Sequence, residues 1–235
     1  MRYIRWFIYG LLFSISAFSG FKSGESLEIG WDTSSSIEQR NILIINTTDT
    51  LQTNLKLKSV WLLIFYTDSP RVDLLPIFPV TGQNSKVDNQ ILAASFSLSI
   101  KGEPSPAFWD QMKLLKTWWD GYVVLDDTVA ASLMAFMDGG SGTSIENSSE
   151  EISKIPLWHE DPQSALAKQT EMYQVHCQRF TGKADLKDFL PLVLNLYQHA
   201  HTNLDLAQLI GAWHLLHSYS KSLNCAFPTI TAAVR

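Results

Sequence analysis

The chain has 235 residues, 46% of them hydrophobic and 17% charged, and a net charge of −5. That balance supplies a substantial core and excludes a disordered chain, and the acidic excess speaks against nucleic acid, whose binders show a basic face. The length fits one large domain or two small ones, and 8 Trp, 12 Phe and 7 Tyr suit a large core or a groove for an apolar ligand.

Residues 1–21 read as a signal peptide or signal anchor. Arg2 and Arg5 form a basic start, and residues 6–21 carry no charge. That run would span roughly 24 Å as a helix at ~1.5 Å per residue, short of the ~30 Å hydrocarbon core. Small residues at Ala17 and Ser19 stand where a signal peptidase needs them. The arginines would stay inside and the remainder would be delivered to the extracytoplasmic side, cleaved or still tethered to the membrane. Residues 22–38, rich in serine and glycine, read as a linker, and residues 39–231 as one extracytoplasmic domain.

The domain opens with an apolar strand at 41–45 (NILII), followed by Asn46-Thr47-Thr48-Asp49. Open α/β sheets commonly place ligands at such strand ends. Residues 58–81 (KSVWLLIFYTDSPRVDLLPIFPVT) are the centre of the pattern. Two apolar runs flank Thr67-Asp68-Ser69-Pro70-Arg71, whose residue types reverse a chain, so a β-hairpin is expected. Both runs are apolar on nearly every residue, so helices should cover both faces of the sheet. Pro76 cannot donate to a ladder, which calls for a break or an open side there. Residues 91–100 fit a helix start or a strand equally well. Phe108, Met112, Leu115 and Trp119 recur at helical spacing and predict a helix over 107–118. A short strand follows at 121–125, then a helix at 128–137 capped by Asp126 or Asp127. Asp161-Pro162 opens a helix running to about Phe180, and further helices are expected at 185–199 and 205–218. A strand-like piece at 227–231 ends the pattern.

Few residues carry an obvious chemistry. There is no glycine-rich phosphate loop and no GxSxG nucleophile elbow. His214 and His217 lie one helical turn apart without a carboxylate or thiol at ligand spacing, so no metal is assigned. Cys177 and Cys225 are either two buried thiols or, since export would permit it, a disulfide. Such a bond would close a loop of about 50 residues and add roughly 4 kcal/mol in the loop-entropy model.

The order of the pieces is more informative. NILII, the 58–81 hairpin, DGYVVLDDTVAASLMAFMDGG, KQTEMYQVHCQRF and HTNLDLAQLIGAW follow one another between residues 41 and 228. This succession resembles the LytR-CpsA-Psr family of bacterial cell-envelope proteins, most tellingly over 120–140. The resemblance implies a three-layer α/β/α domain with a central mixed sheet after an N-terminal anchor. It also implies magnesium-assisted transfer of polyprenyl-pyrophosphate-linked glycopolymers to the cell wall. The departures fall where that chemistry is expected. An Arg-x-Asp opens the family's hairpin, where Lys58-Ser59-Val60 stands here. A Pro-Arg-Asp closes it, where Pro79-Val80-Thr81 stands here. The family's Arg-Gln pair is replaced by Lys168-Gln169. A pyrophosphate is best gripped two oxygens at a time by guanidinium forks, which lysine cannot supply.

The resemblance therefore implies a catalytically inactive domain that binds a polyprenyl-phosphate-type carrier or an envelope partner and needs no cofactor. Asp49, Lys58, Lys168 and Gln169 are its candidate vestigial binding residues. Two alternatives stand beside it: an active phosphotransferase using magnesium, and an unrelated exported α/β ligand-binding protein.

Overall fold

The computed structural model describes residues 39–50, 55–81, 88–138, 152, 155–180, 200–219 and 223–228. The expected signal segment, the linker and the expected helix at 185–199 lie outside them. The strands are β1 (Gln39–Thr47), β2 (Leu57–Tyr66), β3 (Arg71–Phe78), β4 (Gly121–Leu125), β5 (His201–Thr202) and β6 (Asn224–Ala226). The helices are α1 (Asn89–Ser95), α2 (Pro106–Lys113), α3 (Asp127–Met137), α4 (Pro162–Arg179) and α5 (Leu206–Ser218).

The strands form one mixed sheet in the order β5-β4-β1-β2-β3-β6. β1 pairs antiparallel with β2 and parallel with β4, and β3 pairs antiparallel with β2 and parallel with β6. The hairpin therefore lies centrally, and its two-sided apolarity has the expected cause. One face carries Leu43, Ile45, Val60, Leu62, Leu75 and Val124 under Leu92 of α1 and Phe108 and Met112 of α2. The other packs Ile42, Phe65 and Val72 against α5, and Leu125 against Val129 of α3. Helices on both faces make a three-layer α/β/α domain.

Each helix starts on a side chain that the sequence makes conspicuous. Asp88, Asp126, Asp161 and Asp205, and Ser105 for α2, accept hydrogen bonds from first-turn N–H groups that have no partner inside their helix. Each such cap contributes about 1 kcal/mol. Residues 91–100 resolve into α1 and an extended stretch with a bridge from Leu98 to Pro104.

Two expectations need correction. The helix predicted over 107–118 ends at Lys113, and Lys116 takes φ 53°. Leu115 and Trp119 reach the core from this turn and so imitate helical spacing. Among the described residues the last strand is Asn224–Ala226, and Phe227 and Pro228 lie beyond it; 229–231 of the expected piece fall outside the described residues.

Pro76 sits where the ladder is irregular. Val60 faces Phe78 and Trp61 faces Pro76, so Ile77 is an extra residue in β3. β6 pairs only with Arg71–Asp73, which leaves Pro76 with no strand on its outer side among the described residues. At the other side of the sheet, a Cβ on Gly121 would lie 2.2 Å from the Leu204 side chain, so a larger residue there would displace that leucine from β4. The two cysteines are joined, linking the last turn of α4 to β6.

Candidate ligand pocket

A pocket opens at the ends of β1 and β2, beneath α3 and α4. A bulge in β2 creates it. Asn46 faces Ser59 and Thr47 faces Leu57, which makes Lys58 the extra residue. Bulges re-aim side chains, and here Lys58 and Ser59, neighbours in sequence, line the same pocket.

Lys58 is buried, and its Nζ donates to both carboxylate oxygens of Asp127, at 2.9 and 3.1 Å. It also reaches the Ile152 carbonyl at 3.5 Å. Asp127 occupies the first turn of α3, where the helix dipole favours a carboxylate. Burial nevertheless pushes its carboxyl above the usual range; the hydrogen bond and charge of Lys58 oppose that, and the Asp126 charge adds to it. The pair leaves the described lining without net charge.

A second, neutral set of groups completes the polar lining. The Asn46 amide donates to Ser59 Oγ at 2.7 Å and to Tyr173 Oη at 2.9 Å. Tyr173 lies edge-on to Trp61, with ring centres 5.0 Å apart, and the Trp61 indole donates to Gln169 Oε1 at 3.1 Å. Ala130, Met134, Ile152, Ile155 and Met172 supply the apolar lining. The space left open amounts to about 20 Å³, room for about one water.

Burial pushes the Tyr173 phenol up to about 12, with the Asn46 hydrogen bond opposing. A raised folded pKa means that Tyr173 stabilises the fold fully below its unfolded pKa, about 10, and that this contribution is lost as pH rises toward about 12. In an ultraviolet titration, Tyr173→Phe should therefore remove a tyrosine that ionises only near the alkaline end. Loss of an ordinary transition near pH ~10 would contradict its burial.

The four sequence-predicted binding residues separate. Lys58 and Gln169 line the pocket. Lys168 is exposed on α4 and Asp49 is half-buried in the loop after β1, and neither lines it. Val80, standing where the resemblance expects arginine, is outside the lining too; Asn89 clamps its backbone by two 2.8 Å hydrogen bonds. Asp127, Asn46, Ser59 and Tyr173 were not singled out. The Asp126-Asp127 doublet held a signal, since one helix start needs a single cap and the second acid is left for another partner.

The arrangement of a mixed sheet between two helical layers is shared with solved structures. No protein-family model matches the sequence, and no curated protein matches it. The chain superposes on TagV of B. subtilis with a TM-score of 0.54 and 11% identity, over 81% of this chain and 84% of that one. It superposes on a putative transcription regulator from Eubacterium siraeum with a TM-score of 0.57 and 9% identity, over 83% of each chain. TagT bound to LI-WTA matches with a TM-score of 0.50 and 10% identity, over 82% of this chain and 79% of that one. TagV and TagT are LytR-CpsA-Psr proteins. The domain has the LytR-CpsA-Psr fold.

Proposed function

We propose that this chain is an extracytoplasmic cell-envelope protein whose domain has lost transferase chemistry and binds the phosphate end of a polyprenyl-phosphate-type carrier. The observation that carries this reading is the charge inventory of the pocket. The one cation among the described lining residues, Lys58, is already held by Asp127. The arginines among the described residues are engaged or placed elsewhere. Arg71 binds Asp73 at 2.7 and 2.8 Å, Arg179 binds Asp138 at 3.4 Å, and Arg40 lies on β1 outside the lining. Stabilising charge on a transferred phosphoryl group is nearly all that such a site contributes, so a lone paired lysine supports binding without turnover.

The pocket's donor set does not fit magnesium. Among the described lining residues Asp127 supplies the one carboxylate, and an ammonium already occupies both its oxygens; a divalent cation there would face that positive charge at close range. The disulfide supports an oxidising compartment. Among the described residues, no helix is long and apolar enough to cross a membrane, so tethering rests on residues 1–21. The fold shared with TagV and TagT supports the envelope setting, and the TagT complex with LI-WTA makes a cell-wall polymer the partner class to test first.

The test supplies lipid-linked polymer, magnesium and peptidoglycan to the full-length protein in detergent. No linkage is expected, together with polyprenyl monophosphate binding that weakens as salt rises. Asp127 competes with the ligand for Lys58, so Asp127→Asn should tighten binding by about tenfold, the order of one charge-assisted hydrogen bond. The space now open admits neither a phosphate nor a chain of isoprene units, so binding requires the pocket to widen. Measurable transfer that disappears in Lys58→Ala would establish the active phosphotransferase instead.

A further inference from the structure

The opposite face of the sheet carries a larger concavity built on a rigid loop. Residues 97–105 double back on themselves: Ser105 N–H donates to Ser97 O at 2.9 Å and Ser99 N–H to Glu103 O at 2.8 Å. Ser99 Oγ accepts from the N–H groups of Lys101 and Glu103, each at 3.2 Å. At the turn Gly102 takes φ 77°, and a Cβ there would meet the His201 ring at 2.0 Å. Glycine is required by conformation and by space alike.

Between this loop, the first turns of α2 and the start of β4 lies a groove of about 530 Å³, within the range of roughly 300–1,000 Å³ of small-molecule sites. Trp109, Tyr122 and Pro104 supply its apolar walls, and Glu103, Asp110 and Lys113 its charged groups. Trp109 and Tyr122 meet at 52° with ring centres 5.2 Å apart. On another side Trp119 stacks on Trp109 at 5.5 Å and 23°. This backing fixes the Trp109 ring before a ligand arrives, which lowers the ordering cost of binding. Asp110 and Lys113 pair at 3.0 Å, so the Glu103 charge leaves the groove acidic. Burial, reinforced by that charge, pushes the Tyr122 phenol up, keeping it a hydroxyl.

We propose that this groove binds a neutral oligosaccharide, with Trp109 against the C–H face of a ring, and Glu103, Asp110 and the hydroxyl of the largely buried Tyr122 on its hydroxyl groups. The class follows from the two kinds of surface side by side. An acidic groove repels phosphates, nucleotides and acidic lipids. An acyl chain would strip water from the carboxylates and return no hydrogen bond. A neutral polyol offers an apolar C–H face to the Trp109 ring and hydroxyl donors to the carboxylates at once. Tyr122 points to the face covered by α2, whereas the Lys58 pocket lies under α3 and α4. The groove is thus independent of the reading given to that pocket.

The experiment is calorimetric titration of the full-length protein in detergent with chitotetraose, cellotetraose and maltotetraose as probes. Saturable binding of at least one probe is expected, with an affinity unchanged by salt because a neutral ligand has no charge to screen. Glu103→Gln, an exposed change that leaves the fold intact, should weaken it by about tenfold, the order of a hydrogen bond to a charged group. Trp109→Ala should abolish it, with circular dichroism reporting whether that more buried substitution keeps the fold. Absence of saturable binding to all three probes would overturn the proposal. So would binding that Glu103→Gln leaves undiminished, or binding that falls with salt as a cation's would.

Discussion

Replacing Trp61 with alanine should destabilise the domain by about 3–5 kcal/mol, a large fraction of the stability of an ordinary domain. Trp61 has no exposed surface, sits on the central strand, packs edge-on against Tyr173 and donates its indole N–H to Gln169. Truncation therefore removes a large apolar contact, opens a cavity between sheet and α4, and strands a buried acceptor. Trp61→Phe separates these effects. It keeps most of the volume and loses the donor, so its cost should be about 1–3 kcal/mol. Denaturant unfolding of the two variants beside the wild type measures both. A loss below about 1 kcal/mol for the alanine variant would show that the ring is not the tie between the layers that it is taken to be.

The second large effect belongs to the disulfide. Cys177 and Cys225 are 48 positions apart, and cross-linking a loop of that length restricts the unfolded chain by about 4 kcal/mol in the loop-entropy model. The bond fastens the end of α4 to β6, a strand that holds the sheet through only three residue pairs. Replacing both cysteines with alanine should therefore lower the unfolding midpoint strongly and make the protein indifferent to reductant. Wild-type protein that unfolds at the same denaturant concentration with and without reductant would contradict a native bond.

The sequence was most legible where local chemistry and global packing agree. The 58–81 hairpin announced itself by turn residues and two-sided apolarity, and both β2 and β3 proved buried. Capping aspartates marked α3, α4 and α5 to within a residue. Legibility failed where tertiary contacts replace local pattern. Leu115 and Trp119 reach the core from a turn, and a three-residue parallel strand such as β6 leaves no periodicity to detect. The site shows the same division. Lys58 was found because a charged residue opens an apolar strand at a position where the resemblance expects arginine. Its partner Asp127 was hidden by an equally good reading as a helix cap. Tyr173 was hidden among the ordinary residues of α4. Gln169 was expected beside a pyrophosphate and instead accepts from an indole, a role that depends on how α4 sits over β2. The bulge at Lys58, which turns two consecutive residues toward one pocket, has no signature in a single strand.

The irregular end of β3 bears on how this protein behaves in a crowded setting. An outermost strand with regular, unpaired peptide groups is a template on which another copy can lay its own strand. β6 shields only Arg71–Asp73, and the stretch beyond them is rich in leucine, isoleucine and phenylalanine, a composition suited to such stacking. Pro76 deletes a donor midway along it and Ile77 puts the remaining peptide groups out of step. The stretch is buried as it stands, and one imino acid and one inserted residue ensure that, should its cover open, it offers a second copy no regular ladder.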